Sequence, residues 1–203
     1  MKKLLYFFFI FCCVNSAVFA QNNVYWNYKY IKGGVFLTDT DFVFQQLKFP
    51  VVKKQKQTKL SYSHHWGSEM LLKIKQPDTL LELHSQDCWG YVHNGNVIRF
   101  HDGKHFMVLD TQRIVIYKNY FDNHRHKTYY FSRSINDEIL PLTLPNLAVV
   151  YKDNKKFLRL LKKTKHLQRM LATYDTKHKT YIVADLLATS EDENDWDDTY
   201  EEE

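Results

Sequence analysis

The sequence predicts an α+β fold: an antiparallel meandering β-sheet, half-barrel or sandwich-like, followed by C-terminal helices and a disordered acidic tail. Three observations predict it. Between Asp87 and Asp110, the dipeptides Asn94-Gly95 and Asp102-Gly103 are each flanked by β-branched and aromatic residues, and both tolerate the positive φ of a tight hairpin turn. Between about Asp153 and Ala172, apolar residues recur at helical spacing opposite a row of basic ones. From Ser190 onward aliphatic residues nearly vanish and acids accumulate.

Two-residue turns fix the register of the meander. His93 then pairs with Asn96, Val92 with Val97, Tyr91 with Ile98, Gly90 with Arg99, Trp89 with Phe100 and Cys88 with His101. The next strand returns with His101 against Lys104, Phe100 against His105 and Arg99 against Phe106. Directly opposed residues share a face. One face collects Trp89, Tyr91, Ile98, Phe100, Met107 and Leu109, with His93 and His105 at its ends, and is the expected core. The other carries Cys88, Arg99, His101 and Lys104 among Val92, Val97, Phe106 and Val108, and is expected to be partly wet. Gly90 marks a bulge, a close approach of a ligand or another backbone, or simply room for a neighbouring aromatic ring, the reading preferred here.

The remaining elements follow in order. Lys2 and Lys3, the apolar run Leu4 to Val14 and Val18-Phe19-Ala20 have the layout of a secretory signal peptide over residues 1–20. An uncleaved anchor would need about 20 apolar residues, and Asn15 and Ser16 interrupt the run; Phe11 and Cys12 argue against a lipidated cysteine. The mature chain then starts near Gln21. Val24 to Ile31 reads as an edge strand or a late-docking leader, and Val35 to Leu37 as a short strand. Thr38 and Asp41 form a capping arrangement before a short helix that must stop ahead of Pro50. Val51 to Lys59 reads as an exposed strand or loop, and Lys59 to Trp66, Glu69 to Lys75 and Leu80 to His84 as strands. Arg113 to Tyr117 and Lys127 to Arg133 follow as two more. Thr143-Leu144-Pro145 opens one helix, Asp153 or Asn154 caps a second, and Thr180 to Ala188 is a last strand or short helix. Residues 21–189 thus read as a single β-rich domain with a helical segment at about 143–172, and 190–203 as the tail. No internal repeat or flexible linker divides the body.

Charge is uneven. Residues 21–189 carry 26 basic and 14 acidic side chains, a net of +12, whereas the last fourteen residues hold nine acids and no base. Such a body suits an anionic partner, or a tail that folds back on it, or a tail that only solubilises the chain. Lys155, Lys156, Arg159, Lys162 and Lys163, on the helix face opposite Phe157, Leu160, Leu161, Leu167, Met170 and Leu171, are the candidate ligand-binding residues, with Arg99 on the sheet. The lysine run after Val51 lacks interleaved aromatics, so nucleic acid is not an expected partner.

Few residues point to catalysis. Cys12 and Cys13 leave with the signal peptide, so Cys88 has no intrachain partner and is a buried thiol, a reactive one or half of an intermolecular bridge. Cys88 opposite His101 is the one candidate nucleophile and base, although no oxyanion hole or orienting group can be assigned. The ten histidines give no metal spacing. His93 and His105 lie at opposite ends of the central strand, His64 and His65 point to alternate sides, and His124 and His126 lack further ligands. No cofactor signature is present, and no two carboxylates are spaced for glycoside hydrolysis.

Gly33-Gly34-Val35-Phe36-Leu37-Thr38 with Asp41-Phe42, Trp89-Gly90-Tyr91 leading to Gly95 and Arg99, and Pro141-Leu142-Thr143 with Asn146-Leu147 ahead of Phe157-Leu158 carry a resemblance. By these motifs, and by a leader ending in Ala before Gln, the chain resembles the small exported hypothetical proteins of Bacteroidota. The resemblance implies a periplasmic, surface or secreted protein and transfers no catalytic residue, since that group has no established activity. The expected function is a non-catalytic envelope or surface binding or structural domain with a basic face, whose partner is an anionic envelope component or another envelope protein. The alternative is a thiol-dependent or hydrolytic enzyme centred on Cys88 and His101.

Overall fold

A computed structural model of the chain describes residues 31–52, 59–64, 70–121, 128–163 and 170–192. The expected signal peptide, the leader before Ile31, most of the lysine run after Val52, His65, Trp66, His124, His126, Leu167 and the tail beyond Asp192 lie outside the described residues. Thirteen strands are described, and eight of them form one antiparallel sheet. Its centre is the meander β6 (Gly90–His93), β7 (Asn96–His101) and β8 (Lys104–Asp110), continued by β9 (Val115–Asn119), β10 (Tyr129–Ser132) and β11 (Leu140–Pro141). On the other side β1 (Ile31–Phe36) pairs with β6 and carries β2 (Lys48–Val52) at the edge. β3 (Lys59–His64), β4 (Met70–Lys75) and β5 (Leu80–His84) make a separate three-stranded antiparallel sheet.

The hairpin register is the one the turn residues dictate: Gly90 lies opposite Arg99, Tyr91 opposite Ile98, Phe100 opposite His105 and His101 opposite Lys104. Asn94 and Asp102 take φ of 50° and 48°, and Gly95 and Gly103 follow at 84° and 67°, the two positive φ values of a tight hairpin turn. Strand β9 starts two residues later than Arg113, and its pairing with β8 shifts register between Val108 and Asp110.

Both faces of the large sheet are covered over most of their area; the face expected to be partly wet is buried at Val92, Val97, Arg99 and Phe106 and stays exposed at Lys104, with His101 half-buried. On the first face the three-stranded sheet lays Leu72 and Ile74 against Val35, Tyr91, Ile98 and Phe100. Farther along the same face, helices α2 (Leu144–Val150), α3 (Lys155–Lys163) and α4 (Ile182–Asp192) enclose Ile114, Ile116 and Phe131 with Leu147, Phe157, Leu161, Val183 and Leu187. On the second face Val92, Val97 and Phe106 are covered by Phe42 of α1 (Asp39–Val43), by Trp89 and by Ile135 and Ile139. A short helix and an irregular segment do there what a second layer does on the first face. Sequence alternation could not show it, because neither cover is periodic.

The helix starts follow local rules. Thr38 Oγ1 accepts from the Asp41 backbone N–H at 3.0 Å while Asp41 Oδ2 accepts from Thr38 N–H at 3.3 Å, the reciprocal box that opens α1. Thr143 Oγ1 accepts from Asn146 N–H at 3.3 Å ahead of α2, and Asn154 Oδ1 from Phe157 N–H at 2.8 Å ahead of α3. A further short hairpin joins β12 (Tyr174–Asp175) to β13 (Thr180–Tyr181), which leads into α4. That helix runs past the expected start of the tail. Ser190 is buried, donates to Leu187 O and accepts from Asn154 Nδ2 at 3.0 Å, and Glu191 pairs with Arg113, so ordered structure extends to Asp192. Met170, counted on the apolar face of the second helix, is instead exposed in a turn, while Leu171 is buried. Among the described residues no helix is long and apolar enough to cross a membrane.

Candidate functional site

Arg99 is the polar residue that the fold treats most unusually. It sits mid-strand on the second face and is only 4% exposed. Its Nη1 donates to Tyr117 Oη at 2.7 Å and its Nη2 to the Asp137 backbone carbonyl at 3.0 Å. Tyr117 is in turn bonded to Ser132 Oγ at 2.9 Å, and Ser132 to the Ser134 carbonyl. The guanidinium lies 5.9 Å from the Trp89 ring centroid and 5.7 Å from that of Tyr117, within reach of both π faces. Among the described residues no carboxylate is within ion-pair distance of it. Burial pushes the Tyr117 phenol above its ordinary value, and the Arg99 charge partly offsets that.

A cavity of about 360 Å³ opens at this arginine. One wall is the turn from β1 into α1, with Thr38 and Asp39; another is the segment before β6, with Asp87, Cys88 and Trp89. Asn136 closes it from the segment that also covers the second face. The wall residues are held locally. Asp39 Oδ1 accepts from Thr40 N–H at 2.7 Å, and Asp87 Oδ2 accepts from His84 N–H at 3.1 Å across a single 3₁₀ turn, Ser85–Asp87. Trp89 stacks on Phe42 with ring centroids 4.1 Å apart, and its indole N–H is buried without an acceptor among the described residues.

Cys88 and His101 are not brought together. Alternation slips by one residue at Gly90, so Trp89 packs with Val92 and Val97 while Cys88 packs with Tyr91 and Ile98 on the first face. The reason is a close backbone crossing: a Cβ on Gly90 would stand 2.3 Å from the Ile98 carbonyl oxygen. Gly90 therefore serves neither a ligand nor a neighbouring ring. His101 faces the other way, where its Nε2 accepts from the Ile139 backbone N–H at 3.3 Å. Cys88 Sγ lies 3.6 Å from the His84 carbonyl, and burial first, then the Asp87 charge, push the thiol up to about 12. The cavity reaches Cys88 but not His101, and burial favours the protonated thiol over the reactive thiolate.

The basic helix face forms a second, separate region. Phe157 and Leu161 turn inward, whereas Lys155, Arg159, Lys162 and Lys163 are exposed and Lys156 is half-buried. Positions 155, 159, 162 and 163 share one face. None of these four has a carboxylate partner among the described residues. Lys162 and Lys163 lie in the last turn, where a helix dipole favours cations. Arg99 contributes nothing to this face, so the six candidate ligand-binding residues divide into two sites.

Histidines gather elsewhere. His93 Nδ1 lies 2.5 Å from Tyr120 Oη, and its ring packs edge-on against Tyr62; His105 Nδ1 lies 3.4 Å from Tyr91 Oη. Tyrosine and phenylalanine rings surround them, and among the described residues no three His, Cys, Asp or Glu side chains group to hold a metal ion. Trp89, Asp39, Asp87 and Asn136 carried no functional signal in the sequence. Comparison of the chain with protein families, curated proteins and solved structures returns no match.

Proposed function

We propose that the protein is an exported, non-catalytic binding domain of the cell envelope or surface, which holds an anionic envelope component on the basic face of α3. The observation that carries this reading is the exposed quartet Lys155, Arg159, Lys162 and Lys163 on a helix whose other side is anchored by Phe157 and Leu161. Four cations on one face of a packed helix present a concentrated positive charge to a polyanion, and the helix backbone needs no further ordering. The net of +12 over residues 21–189 adds a long-range attraction of the same sign. Export rests on the charged, apolar and small-residue segments of residues 1–20, and the intact mass of the exported protein tests it.

The binding reading is tested by retention on heparin and on anionic lipid vesicles at two salt concentrations. Replacing Lys155, Arg159, Lys162 and Lys163 by glutamine leaves the apolar anchors intact. It is expected to weaken retention and flatten its salt dependence. Unchanged elution of that variant would sink the proposal. A pull-down of the tagged mature protein from envelope extract then identifies the natural partner.

A further inference from the structure

We propose that the cavity at Arg99 binds a small zwitterion of the α-amino-acid class, with its carboxylate on the guanidinium and its ammonium group on Asp39 and Asp87. The argument begins with the charge on Arg99. A guanidinium that is 4% exposed has left most of its hydration behind, and among the described residues its hydrogen-bond partners are neutral acceptors, a phenol and a backbone carbonyl. Two of its five N–H donors are used there, which leaves three without a partner among the described residues. The flanking rings of Trp89 and Tyr117 hold the guanidinium in place before any ligand arrives.

The other wall charges decide the ligand class. Asp39 and Asp87 line the same cavity, and each has a carboxylate oxygen that accepts no backbone bond among the described residues: Asp39 uses Oδ1, Asp87 uses Oδ2. A simple anion such as phosphate would gain from Arg99 but be repelled by both aspartates. A simple cation would meet the reverse. A molecule that carries both charges can meet all three residues, and the exposed Asn136 amide offers one more polar contact. The site is a depression open to solvent, and its volume of about 360 Å³ is room enough for an amino acid. This site is independent of the basic face of α3.

The test uses the purified full chain, titrated with free L-amino acids one at a time, and with acetate and methylammonium as single-charge controls. Calorimetry reads affinity. At least one amino acid is expected to bind roughly tenfold or more tightly than either control. Asp39→Asn with Asp87→Asn keeps the side-chain acceptors for the Thr40 and His84 N–H groups and is expected to lose that advantage while still binding acetate. Arg99→Lys keeps the charge but not the fork and is expected to lose amino-acid binding, with circular dichroism showing whether it folds; if it does not, the double aspartate variant decides. Absence of binding up to about 10 mM, equal affinity for acetate and amino acid, or an unaffected double variant would each overturn the proposal.

Discussion

Cys88 shows how burial sets the chemistry of a side chain. It is 6% exposed, and desolvation with the Asp87 charge holds its thiol near 12 against an ordinary 9.0. At pH 9 about half of the thiols in an unfolded chain are thiolate, but only about one in a thousand in the folded one. Alkylation by iodoacetamide at that pH is therefore expected to be slow in the native protein and fast in urea, which mass spectrometry reads directly. Cys88→Ser, which buries a hydroxyl in its place, is expected to cost about 1 to 3 kcal/mol. His93 is shifted in the opposite sense for a base: burial lowers it below 6.5, so the folded state prefers the neutral ring. Below 6.5 the unfolded chain then binds more protons than the folded one. The contribution of His93 is present in full above that pH and is lost as pH falls through the folded value. Urea unfolding midpoints are expected to drop with acid, and less steeply in His93→Gln; equal slopes in the two proteins would show that His93 is not responsible.

At the scale of elements, the short-range features were legible and the long-range ones were not. Asn94-Gly95 and Asp102-Gly103 each close their hairpin within a few residues, so the register from His93 to Lys104 could be written from turn chemistry alone. Thr38 with Asp41, and Asn154 with Phe157, are equally local. Nothing local announces that β1 inserts beside β6, or that Phe42, Ile135 and Ile139 close over the second face. The candidate site suffered most at Gly90, where a single slip moved Trp89 toward Arg99 and Cys88 away from His101. A glycine at the first position of β6 was the available signal, and the crossing of the Ile98 carbonyl is its meaning. Gly90→Ala is accordingly expected to cost about 3 kcal/mol or more, since backbone rather than a pliable side chain stands in the way. Chemical denaturation measures it, and a loss under 1 kcal/mol, small for a core position, would show that the strands can part.

For the whole molecule the question is how a basic body and an acidic tail coexist. Ser190 and Glu191 belong to the folded unit, because one caps its contact with Asn154 and the other pairs with Arg113. Removing everything from Ser190 onward would damage α4 and confuse a charge effect with a folding one. The informative cut follows Asp192 and removes residues 193–203, which carry seven of the nine terminal acids. At roughly 0.15 M salt the screening length is about 8 Å, so these acids lower the affinity of α3 for a polyanion only where they come close to its lysines. If they do so, they compete with the ligand. The truncated protein is then expected to elute from heparin at higher salt than the full chain, and the difference should shrink as salt rises. Glutamine at Lys155, Arg159, Lys162 and Lys163 should abolish that difference, because it removes the surface for which tail and ligand compete. Identical elution of truncated and full-length protein, with the quartet intact, would show that the acids do not mask the face and that its affinity is set by α3 alone.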